Sequence, residues 1–390
     1  MAWLPPNPHW RKLRMICNTQ MFTTQRLDSN QDLRHQKVHE LISHLHKHSQ
    51  TQREVDIGMV TFVTILNLIS NTIFTVDLVD IDADSVQEFK DAVRGIMDEA
   101  GRVNLADYFP LLRVIDPQQI RRRMTSHFKK LHALFDRLIE ERLEYRAASP
   151  SSRRDDFLDV LLDYNNDNSF NLSRQDIRNL LVEIFSAGSD TSSSTLEWAM
   201  AELLRHPETM AKVRSELLKT LVSGQSIKES DIARLPYLQA VVKETFRLHP
   251  PVPLLIPRRA ESSVEISGFT IPKHTQLLVN SWAIGRDEEN WSEPLRFWPE
   301  RFLGSNIDFR GRDFEFIPFG AGRRICPGMP LAIRMVHLIL ASMIQSFDWK
   351  LRSGMKPDDI EMDEKFGITL QMVKPLYAVP MHQPELTSAS

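Results

Sequence analysis

The most informative stretch of the chain, residues 314–328, reads FEFIPFGAGRRICPG. It places a single cysteine, Cys326, in a loop rich in glycine and arginine, and an apolar helical pattern begins directly behind it. Three glycines permit a positive φ or a close approach of the backbone to a bulky group; they are Gly320, Gly322 and Gly328. The cations Arg323 and Arg324 and the N-terminus of the following helix should favour a thiolate over a thiol.

A thiolate held by peptide N–H groups is what a haem-thiolate iron requires as its axial ligand. A lone cysteine is more often a small core residue, so the interpretation of this one depends on its surroundings. Phe319, Gly322, Arg324, Cys326 and Gly328 fill the pattern Phe-x-x-Gly-x-Arg-x-Cys-x-Gly, which resembles the haem-binding loop of the cytochrome P450 superfamily. By that resemblance Cys326 ligates the iron, and Phe319 and Arg324 contact the haem.

Composition limits the classes of protein to consider. The chain has 390 residues, 42% of them hydrophobic, which is enough for one large core. A net charge of −3 gives no indication of nucleic-acid binding. Two cysteines, Cys17 and Cys326, fit a reducing compartment and not a disulfide framework. The sequence contains no run of eighteen apolar residues, so we predict no membrane span.

The first predicted helix, His9–Cys17, carries Trp10 and Arg14 four residues apart and therefore on one face. Such a pair also occurs on ordinary amphipathic helices. The helix resembles helix C of the family, in which Trp-x-x-x-Arg holds a haem propionate, and both an indole N–H and a guanidinium donate to carboxylates. Arg258 resembles a second propionate-binding position.

A long helix predicted to begin with a Ser173–Asp176 capping box contains an unusual middle. Residues 187–194 read AGSDTSSS, and most of these are poor helix formers. One interpretation is tight packing through small residues; the other is a distorted, widened turn that accommodates O₂. The segment resembles the oxygen-activation motif Ala-Gly-x-Asp-Thr of the family, in which Asp190 and Thr191 relay protons through water.

A Glu-x-x-Arg pair, Glu244 and Arg247, lies in a helix predicted over Leu235–Leu248. Pairs at this spacing occur on many helices. Downstream, the sequence PERF at 299–302 resembles the second partner segment of the family. By that resemblance Arg301 completes a structural network with Glu244 and Arg247.

The rest of the chain is predicted to be mostly helical, with a small β-rich region. The other principal helices are predicted at Asp28–His48, Asp56–Thr75, Val86–Gly101, Ile120–Glu144, Phe157–Tyr164 and Ala332–Phe347. Alternation with a period of two over 264–279 predicts short strands, with turns at Gly268 and at Pro272-Lys273. Ala147–Arg154 is predicted to be a linker, and Asn165–Asn168 a turn.

These motifs occur together and in order, so the sequence is similar to a cytochrome P450 over its whole length, as one catalytic domain over residues 1–390. Residues 187–195, 319–330 and 364–369 resemble plant enzymes of the geraniol-hydroxylase group, which act on terpenoids and related lipophilic compounds. The resemblance implies haem b, O₂ as co-substrate, monooxygenation, and electrons from NADPH through a separate reductase. The pocket residues that it implies are Ile184, Phe185, Ala187, Val252, Leu254, Ile256, Ile368 and Thr369.

Family members carry a membrane anchor, a hinge, a pair of strands and two helices before helix C, whereas this chain begins almost at helix C. We therefore expect an N-terminally incomplete chain, with a less covered pocket, low haem occupancy and little turnover. By resemblance the protein belongs at the cytosolic face of the endoplasmic reticulum membrane; without an anchor, the cytoplasm is the alternative location.

Two other functions stay open at the level of sequence. A haem-thiolate isomerase or dehydratase would not use external O₂, and the intact motif at 187–191 argues against it. A catalytically inactive remnant would bind haem poorly or not at all.

Overall fold

The computed structural model describes residues 1–80, 84–148, 153–166, 172–221, 225–352 and 354–382. The first helices are α1 (Pro8–Gln20), α2 (Thr24–Ser29), α3 (Gln31–Thr51), α4 (Ile57–Phe74), α5 (Asp84–Gly101), α6 (Leu105–Tyr108) and α7 (Ile120–Ala148). They are followed by α8 (Phe157–Asn166), α9 (Arg174–Arg205), α10 (Pro207–Thr220), α11 (Pro236–Leu248), α12 (Ser281–Ile284) and α13 (Met329–Ser346). Residues 149–152 of the predicted linker and 167–168 of the predicted turn lie outside the described residues.

The strands are short and form small antiparallel sheets. They are β1 (Val55–Asp56), β2 (Arg258–Arg259), β3 (Val264–Ile266), β4 (Phe269–Ile271), β5 (Gln276–Leu277), β6 (Phe347–Lys350), β7 (Glu364–Lys365), β8 (Gln371–Met372) and β9 (Tyr377–His382). The sheet order is β1-β9-β6, with separate pairs β2-β5, β3-β4 and β7-β8. The β3-β4 hairpin turns through Ser267 and Gly268, both with positive φ, as a two-residue hairpin turn requires. The structure thus confirms a mainly α fold with a small β-rich region.

The core is built around α4 and α9, whose facing sides are almost entirely buried. Two helices, α4 and α13, are long and apolar enough by composition to cross a membrane. However, 83% of the α4 window and 56% of the α13 window are buried inside the protein, as expected for core helices. The prediction of a core role for α4 is consistent with this burial.

Helix boundaries differ from the sequence predictions where a capping residue intervenes. The helix predicted over Asp28–His48 is divided at Asn30, which ends α2 and begins α3. The helix behind Cys326 begins at Met329 and not at Ala332, because Pro330 is tolerated in the first turn of a helix. The sequence analysis did not predict β6 or β9, whose pairing depends on partners more than twenty-five residues apart.

Helix α9 is continuous through the segment of poor helix formers, so of the two interpretations the structure shows the regular helix and not the widened turn. Its hydroxyl groups turn back onto the helix: Ser189 donates to the carbonyl of Phe185, and Thr191 to that of Ala187 at 2.7 Å. Ser193 makes the same kind of contact with Ser189. Such bonds satisfy the hydroxyls without interrupting the backbone ladder. The Ser173–Asp176 capping box is present as predicted.

Candidate active site around Cys326

The Cys326 loop is shaped by its glycines and closed by a backbone hydrogen bond. Gly320 and Gly322 have φ values of +71° and +67°, which side-chain-bearing residues rarely adopt. The Cys326 N–H donates to the carbonyl of Phe319 at 3.0 Å, so the chain folds back on itself. The N–H groups of Gly328 and Met329 donate to the sulfur at the start of α13. The sulfur therefore lies at the positive end of that helix.

The charge around the sulfur differs from the sequence prediction. Desolvation raises the pKa of the Cys326 thiol, although the two N–H groups and the charge of Arg14 oppose this shift. The cation that acts on the sulfur comes from α1, whereas Arg323 in the loop is exposed. The expectation that the arginines of the loop itself would favour a thiolate was therefore wrong.

Two guanidinium groups from other elements contact the loop, and a third belongs to the loop itself. Arg14 on α1 donates to the carbonyl of Ile325, and Arg258 on β2 donates to that of Ala321 at 3.4 Å. The ring of Trp10 lies 5.1 Å from the guanidinium of Arg324 and 5.8 Å from that of Arg14. The fold thus brings together all the residues that the resemblance assigned to haem propionates.

Arg324 has additional partners that the sequence did not indicate. Its guanidinium donates to the carbonyls of Ala2 at 3.2 Å and Leu4 at 2.6 Å. The N-terminal ammonium group of Met1 and the backbone N–H of Ala2 in turn donate to the carboxylate of Glu183 on α9. The first residues of the chain therefore connect the Cys326 loop with α9, and they take hydrogen bonds that we had expected Arg324 to offer to a cofactor.

One face of α9 is open near the middle of the helix. Ala187 is exposed and Ile184 and Thr191 are half-buried, whereas residues 192–203 are buried. Phe185 is different: it is fully buried, and its ring centroid lies 5.7 Å from that of Phe74. The prediction that Phe185 lines the substrate pocket was wrong, because one residue is a rotation of about 100° on a helix and turns its ring into the core.

The two polar residues of the α9 motif have different surroundings. The Asp190 carboxylate is buried and accepts from the hydroxyl of Thr369 at 2.6 Å and the amide of Gln371 at 3.1 Å. Desolvation raises the pKa of Asp190, although these hydrogen bonds oppose the shift. Thr369 is buried in this contact and not on a pocket surface, contrary to our prediction. Gln371 was not predicted as a partner of Asp190, since no local pattern marks a residue 181 positions away.

The remaining predicted pocket residues lie on partly exposed surfaces. Val252, Leu254 and Ile256 are half-buried and alternate with buried neighbours, in a segment that turns where the N–H of Leu255 donates to the carbonyl of Val252. Ile368 is also half-buried, and its backbone N would lie 2.6 Å from a Cβ added at Gly101 at the end of α5. The end of α5 and the segment that carries Ile368 are thus in direct backbone contact.

The predicted network of Glu244, Arg247 and Arg301 is present and fully connected. Glu244 accepts from Arg247 at 2.7 and 2.8 Å, from Arg301 at 3.1 Å, and from the backbone N–H of Trp298 at 2.8 Å. Arg247 also donates to the carbonyls of Pro294 and Arg296. A buried ion pair of this kind needs all of its hydrogen bonds, and here they come from three separate segments.

A second buried cluster was missed by the sequence analysis. His249, which directly follows the helix predicted over Leu235–Leu248, lies 2.7 Å from Glu202 and 3.1 Å from Glu364 and stacks on Trp198. Desolvation lowers the pKa of His249, but the hydrogen bonds and charges of the two carboxylates have the larger combined effect, so the pKa is raised. The pKa of Glu202 is lowered to about 2, because hydrogen bonds from His206 and His249 outweigh its desolvation. The cluster joins α9, the end of α11 and β7.

The chain is similar to known proteins over nearly its whole length. The sequence model of the family described as Cytochrome P450 matches residues 2–378. The geraniol 8-hydroxylases of Swertia mussotii and Catharanthus roseus are each 54% identical to the chain; the alignments cover 97% of this chain and 76% and 77% of those relatives. A geranylhydroquinone 3''-hydroxylase of Arnebia euchroma is 46% identical over 98% of this chain and 77% of its own. A zebra fish cytochrome P450 structure with progesterone superimposes with a TM-score of 0.79 at 28% identity, over 98% of this chain and 84% of that one.

The chain belongs to the cytochrome P450 family. It is a haem-thiolate monooxygenase that uses haem b and O₂, and it receives its electrons from a redox partner. Its substrate is lipophilic.

Proposed function

We propose that this monooxygenase hydroxylates a small terpenoid or a related plant secondary metabolite. The proposal rests on the 54% identity to geraniol 8-hydroxylases and the 46% identity to a geranylhydroquinone hydroxylase, whose names share a geranyl skeleton. The half-buried residues assigned to the pocket are nearly all apolar, so shape and burial would hold the substrate. They are Ile184, Ala187, Val252, Leu254, Ile256 and Ile368.

The residues present fit a haem. The loop carries one sulfur that accepts two backbone N–H groups, and residues 329–334 of α13 remain half-buried while Met335–Ile344 are buried. The first turns of α13, directly behind the sulfur, are thus less buried than the rest of that helix. When bound, haem supplies the activation of O₂. In our assignment Cys326 would ligate the haem iron, and its sulfur would be held as the thiolate by that positive charge in spite of its raised pKa.

The other residues of the site are assigned supporting roles. The haem carboxylates would be bound by Arg14, Arg258 and Arg324, since guanidinium groups form strong charge-assisted hydrogen bonds with them. The indole N–H of Trp10 would be a further donor. Phe319 would pack against the haem from the loop. For Arg324 this role requires it to give up or share its contacts with the carbonyls of Ala2 and Leu4.

We assign the proton relay to Thr191, whose hydroxyl lies on the open face of α9. Asp190, which the sequence grouped with it, is assigned mainly to holding the segment that carries Thr369 and Gln371. Because that segment also carries Ile368, the carboxylate would act on the pocket by positioning its wall.

An exposed apolar surface supports membrane association, and family membership supports both membrane association and a reductase as redox partner. In the segment 103–115, defined here as the apolar segment, Leu111 is 90% and Val114 92% exposed. Exposed apolar side chains clustered in this way mark a membrane or protein contact. We propose association with the cytosolic face of the endoplasmic reticulum membrane, where NADPH–cytochrome P450 reductase supplies the electrons.

Membrane contact is tested by flotation with phosphatidylcholine vesicles. The double variant Leu111→Ser/Val114→Ser should lose most of the vesicle-bound fraction, because each change removes apolar area that the bilayer would bury. Leu218→Ser alters an exposed leucine outside this segment and should float like the unmodified protein. Equal flotation of all three proteins would rule out a membrane role for the apolar segment.

The central experiment on function combines a spectrum with a product assay. Purified protein loaded with haem should give the red-shifted Soret band of a thiolate-ligated ferrous-CO complex, which Cys326→Ser abolishes and Cys17→Ser retains. With reductase, NADPH and geraniol it should form a hydroxylated product. A thiolate spectrum without any hydroxylated terpenoid would contradict the substrate class alone, whereas retention of the band in Cys326→Ser would contradict the ligand assignment.

A further inference from the structure

The buried histidine at the end of α11 bridges carboxylates on two other elements. Nε2 of His249 lies 2.7 Å from Glu202 on α9, and Nδ1 lies 3.1 Å from Glu364 on β7. Desolvation raises the pKa of both carboxyl groups, but their hydrogen bonds and neighbouring charges lower it by more, so both are ionised at neutral pH. An ionised carboxylate only accepts hydrogen bonds, so both ring nitrogens must donate and the ring is an imidazolium. The parallel indole of Trp198, at a centroid distance of 4.0 Å, stabilises this cation.

Glu364 anchors the strand that leads to the proposed substrate pocket. Besides His249, its donors are the indole N–H of Trp282 at 2.6 Å and the guanidinium of Arg286 at 3.0 Å. The carboxylate side chain is only 12% exposed. Ile368 follows in the turn that joins β7 to β8. The position of Glu364 therefore affects the position of this turn.

The two sides of the turn are held differently. On the β8 side, Thr369 is bound directly to Asp190 of α9. On the β7 side, among the residues that the structure describes, the other side chains lie at the surface. Lys365 pairs with Asp98, but the two side chains are 51% and 33% exposed, and exposed pairs contribute little. Phe366 is exposed as well. Because β7 and β8 pair over only two residues each, the β7 side depends on its buried anchor.

We propose that His249 is a positioning residue for the substrate: by tying Glu364 to α9, it fixes Ile368 relative to the open face of that helix. The inference rests on the proposed function, in which this isoleucine lines the pocket. Helix α9 then holds both sides of the turn, β8 through Asp190 and β7 through Glu202 and His249. The same helix carries the proposed proton relay. The histidine itself has no assigned contact with haem or substrate, and it acts through the position of the pocket wall.

The test compares two azoles that bind haem iron and differ in size. Imidazole reaches the iron alone, whereas clotrimazole carries bulky aromatic rings that also contact the pocket walls. Both are titrated into the haem-loaded protein, and the shift of the Soret band gives each dissociation constant. His249→Phe keeps a ring on Trp198 and removes both N–H donors. The matched control is His206→Phe, which also removes a donor from Glu202, but from a ring that packs on Phe297 instead of bridging to β7.

We expect His249→Phe to bind clotrimazole about tenfold more weakly, the effect of one misplaced apolar contact in a pocket, and to bind imidazole with unchanged affinity. Glu364→Gln weakens the same bridge from its other end and should act in the same direction. Because the two residues act as a unit, the double variant should bind clotrimazole no more weakly than His249→Phe. His206→Phe should match the unmodified protein.

Unchanged clotrimazole affinity in His249→Phe overturns the proposal. An equal loss in His206→Phe also overturns it, because the end of α9 would then have loosened generally, and so does a parallel loss of imidazole affinity, because the change would then lie at the haem. If His249→Phe fails to fold, unchanged clotrimazole affinity in Glu364→Gln overturns it. Failure to hydroxylate geraniol would contradict the substrate class alone, since azole binding requires no turnover.

Discussion

Two buried carboxylates, Glu244 on α11 and Asp190 on α9, are stabilised by different kinds of hydrogen-bond donor. Both are almost completely inaccessible, at 0% and 2% exposure. Glu244 accepts from two guanidinium groups and a backbone N–H, so its charge is compensated on every side. Among the residues that the structure describes, the donors to Asp190 are neutral, the hydroxyl of Thr369 and the amide of Gln371. The charges of Arg94 and Lys90 act on it without a hydrogen bond and do not outweigh its desolvation.

The difference separates structural from functional polar groups. A carboxylate paired with guanidinium groups, such as Glu244, is stabilised in its charged form. Its hydrogen bonds hold the surrounding segments in place. A carboxylate with neutral partners remains sensitive to its environment, as the raised pKa of Asp190 indicates. Such groups are characteristic of functional sites. Asp190 also precedes Thr191 in the chain, and Thr191 is the residue that lies on the open face of α9.

The largest effect should come from breaking the compensated cluster. Glu244→Gln leaves the guanidinium groups of Arg247 and Arg301 buried without a counter-charge, which should lower the free energy of unfolding by about 3–5 kcal/mol. Urea denaturation followed by circular dichroism measures this loss.

The matched control is Glu293→Gln. Glu293 forms an i,i+3 pair with Arg296, in which both side chains are 59% exposed, and surface pairs of this kind contribute about 0.5 kcal/mol or less. If Glu244→Gln costs no more than this control, the network around Glu244 does not stabilise the fold.

The second effect concerns catalysis. Thr191→Ala should slow product formation by about a hundredfold, the lower part of the range for a positioned proton donor, while electrons are diverted to peroxide or water. Haem content and substrate binding should be unchanged. The ratio of product to NADPH consumed measures this coupling.

Ser193→Ala is the control for Thr191→Ala, because Ser193 makes the same type of helix contact but faces the core. Coupling in this variant should match that of the unmodified protein. An undiminished ratio in Thr191→Ala would eliminate the relay, and loss of haem would instead indicate a packing role for the threonine.

The smallest effect is expected at Asp190, and its dependence on pH distinguishes it from Glu244. Asp190→Asn should cost about 1 kcal/mol, since one of two neutral hydrogen bonds is disturbed. The pKa of Asp190 is raised above its ordinary value of 3.8, so the stability that this group contributes is fully present below that pH and fades as pH rises through the folded-state pKa. The cost of the substitution should therefore be greater at about pH 4 than at about pH 7.5.

Unfolding of Asp190→Asn and of the unmodified protein at both pH values gives this difference. A cost that does not change with pH would mean that Asp190 has no raised pKa in the folded protein. Thr369→Val, which removes one of the donors to the carboxylate, should raise its pKa further and provides an independent check.

Local sequence was sufficient where the constraint is local. The positive φ of Gly320 and Gly322 and the helix behind Cys326 follow from residue type and order alone. The connection of Glu244 and Arg247 with Arg301 was predictable because the three lie in motifs whose partners are fixed by family resemblance. The same holds for the gathering of Trp10 and Arg14 at the loop.

Prediction from local sequence was wrong or incomplete where a side chain had more than one possible partner. Phe185 and Ile184 are adjacent and both apolar, and only the packing of Phe74 and Phe135 decides which of them enters the core. The preference of Asp190 for Gln371 and of Arg324 for the carbonyls near the N-terminus involves separations of more than 180 residues. Periodicity carries no information about such pairs.

The absence of a side chain at Gly101 has a mechanical consequence. The end of α5 meets the backbone at Ile368 with no room for a Cβ, and Lys365 pairs with Asp98 at 2.8 Å beside this contact. A side chain at position 101, as in Gly101→Ala, would place its Cβ 2.6 Å from the backbone N of Ile368, so one of the two backbone segments would have to move. The position of Ile368 therefore depends on the smallest possible residue at the end of a helix whose sequence neighbour is the exposed segment 103–115.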